Sequence, residues 1–445
     1  MAEGADIASG RLRPQDYAQN FDDLVPPLDR DGAQVEADRC YFCYDAPCIE
    51  ACPTGIDIPS FIRKLATGNL RGSAMDILSA NIMGGICARV CPTEVLCEGA
   101  CVRNAQEARP VKIGQLQRHA TDWLFDQGIQ PFDRAAPTGK RVAVVGAGPA
   151  GLSCAHGCAL AGHDVVVFEA RDKPGGLNEC GIAAYKVVND FAQKEVAFIT
   201  AIGGIEIRLG QTLGHDVRLA DLRAGFDAVF LGIGLGGVNG LDHEQLAGVE
   251  SAVHYIERLR QVDDLATLPV GRNVVVIGGG STAIDAAVQS RRLGAEHVTM
   301  VYRRGPAQMG ATAHEQDLAQ VNGVKIIAWA RPAKLIGSGG HVCAVEFEYT
   351  RLDHQGRLTG TGDMFALNAD MVFTAIGQKL VPSGLQGSAE LLAIDQGKIV
   401  VNAERQTSLP DVWAGGDVVL GPDLTVVAVE DGKIAARSIN RRLAA

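Results

Sequence analysis

Eight of the twelve cysteines in this chain fall between Cys40 and Cys101. Cys40-Tyr41-Phe42-Cys43, then Cys48, then Cys52-Pro53 follow a C-x2-C-x4-C-x3-C-P spacing. Its middle gap is two residues longer than in the bacterial ferredoxin run, in which three cysteines hold one [4Fe-4S] cluster and the fourth, before proline, crosses to another. By that logic Cys40, Cys43 and Cys48 serve one cluster and Cys52 helps hold a second. The remaining ligands are expected from Cys87, Cys91, Cys97 and Cys101. Zinc also takes four-cysteine sites with short spacings, and disulfides need an oxidising compartment. Two Cys-Pro pairs and eight clustered thiols fit paired iron-sulfur clusters better than either.

The elements that position these thiols read as helices. Asp57 is placed as an N-cap with Pro59 in the first turn, and Phe61, Ile62 and Leu65 lead to a stop at Gly68. Further helices are expected from Leu70 to Ser79 and from Ile113 to Phe125. Residues 1 to about 39 read as a polar arm, and Gly128 to Gly139, with two prolines, as a linker.

From Arg141 the pattern becomes β-α alternation. The run Val142-Ala143-Val144-Val145 precedes Gly146-Ala147-Gly148-Pro149-Ala150-Gly151, and the next strand, Asp164 to Phe168, ends at Glu169. In this context the glycines let the backbone approach a pyrophosphate, the helix N-terminus favours its charge, and the acid takes ribose hydroxyls. A second copy runs from Asn273 through Gly278-Gly279-Gly280-Ser281-Thr282-Ala283, with Ala283 in place of the third glycine. Its following strand, Val298 to Tyr302, ends in Arg303-Arg304, which leans towards NADP because guanidinium groups pair with a 2′-phosphate. A solvated basic turn is the alternative.

Two dinucleotide folds suggest one nucleotide held as a flavin, FAD, and one exchanged as NAD(P)H. Gly176-Leu177, the strand-to-glycine turns ending at Gly232 and Gly377, and Gly416-Asp417 before the last helix (Val426 to Ile439) are read with the flavin. Gly278, Gly280, Ser281, Thr282, Ala283, Arg303 and Arg304 are read with the nicotinamide nucleotide. The division expected is a helical iron-sulfur domain at 1–135, a flavin domain in two parts at 136–268 and 378–445, and a nicotinamide domain at 269–377. The fold class is α/β with two Rossmann-like domains preceded by an α-helical one. Hydride transfer needs positioning more than acid-base help, so no catalytic residue is expected, Cys180 near Gly175-Gly176 being a weak contributor.

A net charge of -11 argues against nucleic acid or an anionic membrane as the main partner. No apolar run approaches the roughly 18 residues of a membrane span, and the first residues resemble no signal peptide. The expectation is a cytoplasmic protein.

The stretches RCYFCYDAPCIEACPTGIDIPSFI, GGICARVCPTEVLCEGAC, VAVVGAGPAGLSCA, KPGGL, VVVIGGGSTAIDAA, VYRR and AGGDVV resemble the family shared by the glutamate synthase small subunit and the N-terminal half of dihydropyrimidine dehydrogenase. In bacteria that half occurs as a separate PreT-type subunit that works with a flavin-barrel subunit of PreA type. The resemblance covers nearly the whole chain. It implies FAD, two [4Fe-4S] clusters, a nicotinamide site and an adrenodoxin-reductase-like pair of domains. On the dihydropyrimidine dehydrogenase pattern, Cys40, Cys43, Cys48 and Cys101 hold the first cluster. Cys52, Cys91, Cys97 and Gln117 hold the second, leaving Cys87 spare. Glutamate-synthase-like sequences more often carry Glu at the Gln117 position; read without the family, Gln117 is a surface helix glutamine. The segment Gln308 to Asp317 also departs from the glutamate synthase pattern, while NADH users among the pyrimidine subunits leave the nucleotide as NAD(P)H.

The resemblance therefore implies an electron-input subunit in a heterotetramer with an FMN- and iron-sulfur-containing partner that reduces uracil or thymine. The alternatives are a glutamate synthase small subunit, a ferredoxin-type reductase and a non-enzymatic scaffold.

Overall fold

A computed structural model of the chain describes residues 6–241, 246–381, 385 and 392–444. It divides into two compact units. One comprises residues 25–179, 189–237 and 379–445, and the other residues 1–24, 180–188 and 238–378.

The first unit joins a helical region to a five-stranded parallel sheet. Its strands lie in the order Val412–Ala414, Ala228–Leu231, Arg141–Val145, Asp164–Phe168, Ile205–Arg208. Val142, Ala143, Val144 and Val145 are all buried, as a parallel strand covered on both faces requires. The order reverses beside Arg141–Val145, the switch point where such sheets bind ligands, and Gly146 follows that strand. The closing helix, Thr425–Ala444, runs against the helix Pro149–Leu160 at small residues. A Cβ on Gly432 would lie 2.1 Å from the Ala150 carbonyl oxygen, and one on Gly157 would lie 2.7 Å from the Ala436 methyl.

The helical region has its own core. Ile58–Ala66 starts at Asp57, whose side chain accepts from the Ser60 N–H at 3.0 Å, and buries Phe61, Ile62 and Leu65. Burial of each such side chain contributes about 1.5–3 kcal/mol. Leu70–Ala80 and Ile113–Asp126 complete the core with Ile77, Leu78, Leu116, Ala120 and Leu124. A helix at Gly84–Val90 carries no apolar periodicity that announces it, because its seven residues include two glycines and a cysteine.

The second unit is built on the parallel order Val324–Ala328, His297–Tyr302, Asn273–Gly278, Met371–Ala375, Val249–Ser251. An antiparallel sheet of Ala330–Ser338, His341–Leu352 and Leu358–Asn368 belongs to it as well. Residues 238–268 group here through Val249–Ser251, which pairs with Met371–Ala375, and through the helix Ala252–Gln261, so this unit begins before the boundary at 269 read from the sequence. Part of the N-terminal arm also belongs to it, since Ile7–Ala8 pairs with Val270–Gly271. Among the described residues no helix is long and apolar enough to cross a membrane.

Candidate iron-sulfur and dinucleotide sites

The clustered cysteines sort into two pockets of the first unit. One, of about 380 Å³, is lined by Cys40, Cys43, Cys48 and Cys101 together with Tyr41, Ile62 and Arg103. The C-x2-C turn is tight: Phe42 takes φ +51°, and its N–H donates to the Cys40 sulfur at 3.4 Å. Val111 and Ile113 also line the pocket, and Lys112 between them donates its N–H at 2.9 Å to Glu36, which pairs with Arg39. Cys101 reaches this pocket although it lies 53 residues beyond Cys48, the number following from the two positions.

The other pocket, of about 330 Å³, is lined by Cys52, Cys87, Cys91, Cys97 and Gln117, with Asn81, Thr93 and Val426. Gln117 is 7% exposed, so its surface reading is not what the fold gives. Its amide nitrogen donates to the Gly84 carbonyl at 2.7 Å, which leaves the amide oxygen as the atom a metal would take. Cys87 is buried in the same wall, one helical turn before Cys91.

These thiols are all free of disulfides. Among the described residues no three His, Cys, Asp or Glu side chains approach closely enough to hold a single metal ion. Each pocket gathers four cysteines in its lining, and the second adds Gln117, a donor set that fits an iron-sulfur cluster. Burial pushes the Cys48 thiol up to about 12 and raises Cys40. The Cys87 side chain, followed by burial, raises Cys91. A cluster held by these thiols would supply cationic iron, which favours their deprotonated form.

The flavin-type residues gather at the head of the same unit's sheet. A Cβ on Gly146, at φ +96°, would lie 2.3 Å from the Gly232 carbonyl oxygen, and one on Gly151 would lie 1.9 Å from the Gly146 oxygen. Gly148 caps the helix Pro149–Leu160 without a side-chain hydrogen bond. Gly176, at φ +57°, approaches Gly148 so closely that a Cβ would stand 2.7 Å from its Cα. Leu177 opens the short helix Leu177–Cys180. This bare backbone cradle fits a pyrophosphate. The Glu169 carboxylate accepts from Ala147 N–H at 2.7 Å and Arg171 N–H at 2.9 Å, so it also fastens the loop. Its remaining lone pairs suit ribose hydroxyls.

Gly416 donates its N–H to Asp431 at 2.9 Å, and Asp431 pairs with Arg405 at 2.6 Å. Sequence reasoning missed Asp431, because the charged Glu430 and Lys433 beside it leave nothing in the sequence to set it apart. Burial, then the nearby Asp423, pushes Asp417 up to about 6. Gly377 and Cys180 belong to the other unit.

In that other unit, a Cβ on Gly278 would lie 2.3 Å from the Ala375 oxygen, whereas nothing lies within 4 Å of one on Gly280. The helix Ser281–Arg292 starts there, with Ala283 buried against the sheet and Thr282 half-buried. The Ser281 hydroxyl donates to Glu315 at 3.0 Å. Glu315 and buried Asp285 share Lys186, at 3.4 and 2.7 Å. Arg303 is exposed and Arg304 half-buried, and their carbonyls, not their guanidinium groups, are tied down by Thr350 and Trp329.

Fold and sites together define an NAD(P)H-dependent oxidoreductase that combines an iron-sulfur domain with two Rossmann-like domains. Residues 17–129 match the family described as dihydropyrimidine dehydrogenase domain II, 4Fe-4S cluster, and residues 140–432 match pyridine nucleotide-disulphide oxidoreductase. The chain belongs to the pyridine nucleotide-disulphide oxidoreductase family, in the branch that contains the PreT subunits and the glutamate synthase small chain. It is 36% identical to the NAD-dependent dihydropyrimidine dehydrogenase subunit PreT of Salmonella typhimurium, over 96% of this chain and 98% of that one. To the glutamate synthase [NADPH] small chain of Escherichia coli K12 it is 34% identical, over 94% and 93%. Among solved structures, Mycobacterium tuberculosis FprA in complex with NADPH shares the two-domain fold, with TM-score 0.58 and 20% identity over 68% of this chain and 84% of that one.

Proposed function

We propose that the chain is the electron-input subunit of a dihydropyrimidine dehydrogenase, taking electrons from NAD(P)H and delivering them to an FMN- and iron-sulfur-containing partner of PreA type that reduces uracil or thymine. The observation that carries this reading is the second pocket, where Cys52, Cys87, Cys91 and Cys97 share the lining with a buried glutamine whose amide nitrogen is already bonded. When bound, FAD supplies the conversion of hydride into single electrons and two [4Fe-4S] clusters supply their onward path. Cys40, Cys43, Cys48 and Cys101 would hold the first cluster, and Cys52, Cys91, Cys97 and Gln117 the second. The glycines of the two cradles, with Glu169 and Asp417 on one side and Ser281, Arg303 and Arg304 on the other, would orient the nucleotides.

Val426, in the helix that follows Gly416-Asp417, lines the second pocket, which favours entry of electrons there. Exit is favoured at the first, where Tyr44 is fully exposed between Cys43 and Cys48. An iron-sulfur domain followed by a flavin domain in two parts around a nicotinamide domain, the latter starting before residue 269, together with a heterotetramer and a cytoplasmic location that keeps unloaded cluster thiols reduced, completes the proposal. A glutamate synthase small subunit is the second reading, favoured by the exposed Arg303 beside the nicotinamide cradle.

The test is anaerobic isolation of the complex from its source cells, followed by NADH and NADPH oxidation with uracil, or with 2-oxoglutarate plus glutamine. Uracil-dependent oxidation with a co-purifying FMN subunit is the expected result. Activity only with 2-oxoglutarate and glutamine would overturn it in favour of the second reading.

A further inference from the structure

One buried acid has no part in either nucleotide cradle or in the cysteine sets. Glu195, on the helix Phe191–Thr200, is 0% exposed. One carboxyl oxygen accepts from the Ile86 N–H at 3.0 Å, at the start of the helix that carries Cys87 and leads to Cys91. The other oxygen has no hydrogen-bond partner. Glycine at position 85 makes the approach possible, since a Cβ there would lie 2.9 Å from the carboxyl and 2.6–2.7 Å from the rings of Phe191 and Phe125.

The surroundings leave this carboxyl poorly compensated as an anion. Arg89, the cation facing it, sits 3.5 Å above the Phe191 ring and gives its guanidinium to Asp122 at 2.7 Å. Asp122 is shared with Arg118 on the helix Ile113–Asp126. His156, on the packed helix Pro149–Leu160, is kept neutral by burial, which pushes it down to about 4. Lys194 on Glu195's own helix is exposed. A carboxylate with one bonded and one bare oxygen in such a place favours its protonated form. Burial accordingly pushes Glu195 up to about 8, against the opposing effects of the Ile86 N–H, Arg89 and the Gly85 N–H.

We propose that Glu195 is a positioning residue that couples a proton to the second cluster: in molecules where it is ionised, its carboxylate binds a proton from water more readily once that cluster has gained an electron, and releases it more readily when the electron leaves. The inference rests on the iron-sulfur reading above. Ile86 stands next to Cys87 and five positions before Cys91, both of which line the second pocket, so a separation of about 10 Å is the scale on which a charge there would be felt. One added negative charge at that distance strengthens proton binding roughly tenfold at an effective dielectric of about 20. By linkage the midpoint potential of the cluster falls with rising pH by the same factor in total, about 59 mV for a one-electron step.

The experiment is an EPR-monitored potentiometric titration of the anaerobic holoprotein between pH 6 and pH 10, with a europium(II) chelate as reductant. Wild type is expected to show the fall for the second cluster. E195Q, with full iron and sulfide content, is expected to stay flat at the low-pH wild-type value. A flat wild type, or an E195Q titration with the same fall, would overturn the inference. An infrared difference spectrum of wild type gives an independent readout: a protonated carboxyl band gained on reduction is expected, and its absence counts against coupling even if E195Q fails to fold. Isolated protein lacking iron and sulfide would overturn the underlying iron-sulfur reading as well, a failure distinct from loaded clusters with a flat potential.

Discussion

Lys433 offers the most direct test of how the flavin-type helix is fastened to the cluster region. Its ammonium donates to the Thr54 and Ala80 carbonyls, both at 2.8 Å, and pairs with Glu430 at 2.6 Å. Thr54 follows Cys52-Pro53, and Ala80 precedes Asn81, another residue lining the second pocket. Lys433→Met keeps the aliphatic stem and removes all three contacts. Thr54 is buried, so its unpaired carbonyl costs about 2 kcal/mol; Ala80 is half-buried, so water recovers part and the cost is about 1 kcal/mol. The ion pair adds less than about 1 kcal/mol. The sum, about 3 kcal/mol, corresponds to a fall in Tm of about 5 °C for a unit of this size. Differential scanning calorimetry of the cluster-loaded protein measures it. Glu430→Gln, which loses only the ion pair, is expected to move Tm far less. A Lys433→Met shift no larger than that control would refute the claim that these carbonyls anchor the helix.

Three further outcomes follow from the sites. Gln117→Cys is expected to change the absorption spectrum and lower the potential of the second cluster while Cys87→Ala keeps full iron content; unchanged spectra in the first, or iron loss in the second, would mean that Cys87 and not Gln117 ligates. Arg303→Ala and Arg304→Ala are expected to raise KM for NADPH about tenfold or more, the value of a charge-assisted phosphate contact, with little change for NADH; equal changes would count against a 2′-phosphate role. The folded pKa of Asp417, about 6, lies above its ordinary 3.8, so the native state binds more protons between those values and stability declines as pH rises through them. The loss amounts to about 3 kcal/mol in the flavin-free protein, and urea titrations of Asp417→Asn should show it abolished.

The local signals that could be read from the chain alone were those in which short-range chemistry leaves little choice. Asp57 with Pro59 marks a helix start because a carboxylate and a fixed φ satisfy the first turn wherever it lies, and the structure has the helix Ile58–Ala66 there. The glycine-rich turns after Val145 and Ile277 are legible because a strand entering a helix through so narrow a loop leaves no room for a Cβ, as the 1.9 Å approach at Gly151 demonstrates. The α/β class and the two dinucleotide folds therefore belonged to the sequence.

Tertiary structure decided what depends on distant chain segments meeting. Burial of Gln117 comes from the Gly84 carbonyl and the packing of two helices, neither of which its neighbours encode. The gathering of Cys101 with Cys40, and of Cys52 with Cys97, depends on how the intervening helices fold back, since spacing limits reach and does not choose direction. Residues 238–268 group with the second unit because Val249–Ser251 finds its partner at Met371–Ala375, more than a hundred residues later. Glu195 and Asp431 look like ordinary helix acids in the sequence. Only packing strips them of water, and that loss of solvent gives each its bond to a backbone N–H and, at Glu195, the proton affinity on which the inferred coupling depends.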